Sequence, residues 1–217
     1  MGILSSFFGK KSKQEREMEA IFKKVYDILN NEQVQNERLP EIIRKFMDTR
    51  RLDTLPDAVG EFGRDPRNPI LCNGPIGELT YLSRLVIPIP DVRKPMRVTF
   101  HRLGSLKVNG KMLDEYELIS YDGYLHDVLY LDMYHTSKSK ICPKGYRLED
   151  ECAGLRGMNS CNEDFPYNQY PQVIECAKGM ILFPAFDTSL KNMDVKRAAE
   201  TLYLRWNFLE SDFPWWK

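Results

Sequence analysis

The densest run of chemically capable side chains is Tyr124-Leu125-His126-Asp127-Val128-Leu129-Tyr130-Leu131-Asp132-Met133-Tyr134-His135. Read as a strand, it turns Leu125, Asp127, Leu129, Leu131 and Met133 to one side. His126, Val128, Tyr130, Asp132 and Tyr134 face the other side. A histidine, a carboxylate and two phenols on one surface suit a ligand pocket. In it His126 would act as acid or base, and Asp132 would orient it or bind a cation. His101, from the preceding strand, would complete the set. The same residues also fit an ordinary outer sheet surface, where tyrosines contribute strand propensity.

Other chemistry has less support. The five cysteines, Cys72, Cys142, Cys152, Cys161 and Cys176, are scattered, and no Cys-x-x-Cys pair occurs. A zinc ribbon or knuckle places its ligands in close pairs, so no structural metal and no cofactor are expected. An odd number of thiols in a chain long enough to build its own core implies reduced cysteines and no obligatory disulfide. Cys152 and Cys161 bracket a flexible stretch that would allow one in an oxidising compartment. Any cysteine could meet any histidine in space, so spacing singles out no cysteine nucleophile. The sequence has no Gly-x-Ser-x-Gly elbow, His-Glu-x-x-His, Walker lysine loop or dinucleotide-binding glycine fingerprint. Adjacent carboxylates such as Glu163-Asp164 read as solvated surface.

At the start of the chain, Met1-Gly2 followed by Ser6 fits acylation of Gly2, and Lys10, Lys11 and Lys13 would attract anionic lipid. This reading gives weak peripheral membrane contact through residues 2–13. The competing reading is an apolar handle, Ile3-Leu4-Phe7-Phe8, that packs on the body or on another subunit.

The elements that must position these groups follow from periodicity. Met18, Ile21, Phe22, Val25, Ile28 and Leu29 recur at helical spacing, and Ser12 with Glu15 has the spacing of a capping box, so a helix is predicted from Lys13 to about Asn30. A second helix from Pro40 would turn Ile42, Ile43, Phe46 and Met47 inward, giving a helical hairpin. Residues 53–77, rich in proline and glycine, form a loop that packs on the body through Val59, Phe62, Ile70 and Leu71. Leu79–Ile87 and Met96–Leu103 read as strands. Asn109-Gly110 and Asp122-Gly123 favour tight hairpin turns, so Leu106–Val108, Glu115–Tyr121 and Tyr124–Tyr134 continue a meander. A further hairpin around Lys178-Gly179 and a closing helix from about Val195 to Glu210 complete the pattern.

The fold class is therefore α+β: an N-terminal helical hairpin, a central antiparallel β-meander sheet and a C-terminal helix. Residues 1–52 are an accessory segment with helices, and residues 53–217 are the α+β domain, the two forming one compact unit. Lysine plus arginine equals aspartate plus glutamate at 31 each, so no global field favours nucleic acid. No stretch reaches the roughly 18 apolar residues of a membrane span. No signal-peptide core is evident either, and a cytoplasmic location is expected. The missing catalytic signatures and the aromatic ends, Phe7-Phe8 and Trp215-Trp216, point to a non-enzymatic intracellular binding protein whose partner is another protein or a second copy. The alternative is a small hydrolase-like enzyme whose pocket is lined by His101, His126, Tyr130, Asp132 and Tyr134.

Overall fold

The computed structural model of the chain describes residues 12–89, 95–121, 125–158 and 165. The predicted elements beyond these, namely the 2–11 segment, the Lys178-Gly179 hairpin and the C-terminal helix, lie outside the described residues.

Helix α1 spans Lys13–Asn30 and starts at the predicted capping box, with Glu15 N donating to Ser12 Oγ (3.2 Å) and Ser12 N to Glu15 Oε2 (2.7 Å). Two of the unpaired amides at the helix start are thereby satisfied without help from the rest of the fold. The chain does not then form the expected hairpin. Asn31 ends α1 by donating its N–H to Asp27 O and caps α2 (Glu32–Glu37) by accepting from Gln33 N and Val34 N, so one helix follows directly on the other. The helix at Pro40 is a single turn, α3 (Glu41–Arg44). Met47 is buried as predicted, but Ile42 (69%) and Phe46 (72%) are exposed.

The 53–69 loop packs as expected through Phe62, although Val59 stays exposed. Gly63, at φ +77°, donates its N–H to Asn68 O and accepts from Tyr130 N, which ties the loop to the sheet. The loop leads into β1 (Ile70–Leu71).

The predicted strand over Leu79–Ile87 is mostly helix: α4 spans Gly74–Arg84, and only Leu85–Ile87 is a strand, β2. A short apolar run buried all round has no period to separate helix from strand. The start of α4 carries the signal instead, with a proline in its first turn and Gly77, where a Cβ would lie 2.4 Å from Asn73 Oδ1.

Strands β3 (Met96–Val108), β4 (Lys111–Ser120) and β5 (His126–Asp132) form the predicted meander. Asn109 (φ +50°) and Gly110 (φ +83°) make the first turn. The sheet order is β1-β5-β4-β3-β2-β6, with β6 at Arg147–Leu148. Because β1 runs parallel to β5, the sheet is mixed and not purely antiparallel. The core lies between α4 and one sheet face, where Tyr81, Leu82, Phe100, Leu118, Leu129 and Leu131 are fully buried and Phe100 meets Tyr116 edge-on at 6.2 Å.

Candidate functional site

The five residues singled out by the sequence fall into separate groups. His101 and His126 do come together, on the sheet face opposite α4, through a residue the sequence reading missed. His101 on β3 pairs in register with Glu117 on β4, and Glu117 lies diagonally across from His126 on β5, which pairs with Ile119. One carboxylate thus sits between two imidazoles. His126 Nε2 is hydrogen-bonded to Glu117 Oε1, and His101 Nε2 lies 3.9 Å from Oε2. His101 is buried, its ring is stacked on Phe165 with centroids 4.1 Å apart, and neither ring nitrogen has a hydrogen-bond partner. Burial pushes its pKa down, opposed by the charge of Glu117, so the neutral ring is favoured.

Asp132 does not orient His126. Its Oδ2 accepts from His135 Nε2 at 3.0 Å and its Oδ1 from Tyr134 N at 3.1 Å, with Lys111 Nζ at 3.9 Å. Both members of the Asp132–His135 pair are 2% exposed at their side chains, and His135 Nδ1 is buried without a partner. The backbone holds the pair in place, since Cys72 N donates to Asp132 O and His135 N donates to Cys72 O. The dyad has the composition of a general base but is closed to solvent, and its hydrogen bonds tie down the chain leaving β5. Tyr134 bridges to Asn73 at the sheet edge. Tyr130 lies opposite Glu115, and its hydroxyl is raised by burial and by a hydrogen bond to that carboxylate.

A third group lies where α4 meets the sheet. Tyr116 Oη donates to Glu78 Oε2 at 3.1 Å, while Asp114 accepts from Arg102 Nη2 (2.7 Å) and Ser105 Oγ (2.8 Å). Burial, and then the charge of Asp114, push the Glu78 carboxyl well above the usual carboxylate range. Among the described residues, no group of three or more His, Cys, Asp or Glu is arranged to hold a metal ion. The thiols of Cys72, Cys142 and Cys152 are free and all raised by burial, the reverse of a reactive thiolate.

A polar groove of about 780 Å³ opens between the C-terminal half of α1 and the 138–150 segment. It mixes Arg51, Arg84, Lys138 and Lys140 with Asp27, Glu32 and Asp150, and none of the five sequence candidates lines it. Cations and carboxylates both line it, so no strong single-sign field selects a ligand.

The feature with the least internal explanation is α1 itself. Residues 12–26 are all exposed, and among the described residues the contacts that tie the helix to the body lie in its last turns. There Leu29 is buried, Tyr26 Oη donates to Glu151 Oε1 (2.6 Å), and Asn30 exchanges hydrogen bonds with the Cys152 backbone (3.0 and 2.7 Å). The apolar stripe before this anchor stands in solvent: Met18 47%, Ile21 57%, Phe22 66% and Val25 47% exposed. The periodicity predicts this apolar face, but an amphipathic helix normally turns it to its own core. No helix among the described residues is long and apolar enough to cross a membrane. Comparison with protein-family models, with curated proteins and with solved structures finds no match.

Proposed function

We propose that this chain is a binding protein that docks a protein partner through the apolar face of α1. The observation that carries the reading is the exposed stripe Met18, Ile21, Phe22 and Val25 on a helix that caps its own start and is held at its far end by hydrogen bonds. A contiguous apolar patch rimmed by charge is the usual mark of an interaction surface. A helix presenting anchors at i, i+3, i+4 and i+7 suits a groove or another helix. The hydrolase alternative draws less from the same geometry. His101 and His135 are enclosed, and among the three histidines only His126 keeps appreciable exposure, already bonded to Glu117.

The test is a photo-reactive amino acid at position 22, irradiated both in the purified protein and in native extract. Adducts that join this chain to another polypeptide support the reading. Adducts formed only within the chain refute it.

A further inference from the structure

The charge pattern beside the stripe indicates what occupies it. Resting on the reading of α1 as a docking helix, we infer that the partner is a second copy of this chain, its α1 lying antiparallel across the first about a two-fold axis between Ile21 and Phe22.

Successive helix residues are turned by about 100°, so Met18, Val25 and Leu29 run along the centre of the stripe, with Ile21 and Phe22 on either side of it. Glu17 and Lys24 then border the stripe on the Ile21 side, about 100–120° from its centre, while Glu15 and Tyr26 border it on the Phe22 side. On the Ile21 side the acidic residue lies toward the N-terminus and the basic residue toward the C-terminus.

A two-fold axis perpendicular to the helices brings like borders together with their ends reversed. Glu17 of one copy then meets Lys24 of the other, and symmetry makes the contact twice. Met18 comes level with Val25 and Ile21 with Phe22, which closes the stripe. A parallel pair instead brings the two different borders together, Glu17 beside Glu15 and Lys24 beside Tyr26, so no ion pair forms. The antiparallel arrangement is the one that covers the apolar residues and also gives Glu17 and Lys24 partners. The Lys13–Glu17 pair within the helix, 3.8 Å apart with side chains 88% and 62% exposed, is too solvated to compete strongly.

The exposed arm runs from Ser12 to Tyr26, about four turns, so the interface is a small one and the association reversible. Sedimentation velocity of the full chain over a wide concentration range tests the inference. The expected result is a monomer–dimer equilibrium that I21E/F22E abolishes. Glu17→Lys or Lys24→Glu alone should weaken it roughly five- to tenfold, because each reversal replaces two attractive contacts with two repulsive ones. The double swap E17K/K24E should restore it to within about twofold. Zero-length cross-linking of mixed light and heavy isotope-labelled copies should join Glu17 to Lys24 between copies.

A chain that stays monomeric at every concentration, or a dimer indifferent to I21E/F22E, overturns the inference. If the monomeric chain nonetheless gives a position-22 adduct to a different protein, the docking role of α1 stands and only the second copy is excluded. If its adducts are all within the chain, both readings fall.

Discussion

Replacing Ile21 and Phe22 together by glutamate separates a docking helix from a buried one by the size of the stability change. About two fifths of Ile21 and one third of Phe22 are covered in the folded chain. Full burial of such a side chain contributes about 1.5–3 kcal/mol, so the covered fractions are worth at most about 1 kcal/mol each. Much of that cover comes from the helix's own neighbouring turns. Glutamate is at least as good a helix former as either residue, which removes any propensity penalty. New like-charge neighbours, Glu17 with position 21 and Glu19 with position 22, cost a few tenths of a kcal/mol each.

The expected loss is therefore no more than about 3 kcal/mol. Were both residues core, truncation alone would cost roughly 5–10 kcal/mol, with the burial of two carboxylates added. Urea unfolding followed by far-UV circular dichroism, at a protein concentration low enough to be monomeric, measures the difference, and the slope should be unchanged. A loss of 4 kcal/mol or more would show that these side chains are buried against the same chain, and the docking role of α1 would be withdrawn.

Three further predictions follow from the body of the fold. Arg64 binds Asp127 in a forked contact (Nε–Oδ1 3.1 Å, Nη2–Oδ2 2.7 Å), and Asp127 is only 9% exposed at its side chain, so Arg64→Met should cost about 3–5 kcal/mol by leaving that carboxylate buried and unpaired. Asp127→Leu in the same chain should recover much of the loss, and thermal melts would show it. Glu78 has a carboxyl pKa raised by burial, so the wild type should lose stability relative to Glu78→Gln as pH rises from the unfolded value of about 4.5 towards the folded one. The difference should grow by up to about 1.4 kcal/mol per pH unit in that window and vanish below it; denaturation at a series of pH values that gave a flat difference would refute the assignment. Gly157→Ala should destabilise by at least about 2 kcal/mol in a urea titration, because φ is +75° and a Cβ would lie 2.1 Å from the Val98 carbonyl oxygen beside the Phe100–Met158 bridge.

What the sequence determined by itself is the local structure that closes on nearby residues. Ser12 and Glu15 cap a helix within one turn, and Asn109-Gly110 tolerates the positive φ angles that join β3 to β4, so neither required knowledge of the rest of the chain. The candidate sites depended on distances that only packing sets. Counting back from the Asn109-Gly110 turn with no irregularity would place His101 opposite Leu118, a core residue. A bulge between Arg102 and Gly104, with Leu103 as the extra residue, shifts the register by one and places His101 opposite Glu117 on the other face. The alternation of β5 correctly separated His126, Tyr130 and Asp132 from the core-facing leucines, but alternation does not say which neighbour each will meet. The chain turns after Asp132, so its carboxylate is taken by His135 three residues on, while His126 is taken by a residue from β4. The helix α4 was illegible for a different reason: buried over most of its surface, it lacks the continuous polar face that makes a helical period visible. In α1 the period is plain, because one face is charged and the other apolar. Whether an apolar face meets its own core is a property of where the helix emerges from the body, and here Tyr26 and Asn30 anchor it so that the stripe before them points into solvent.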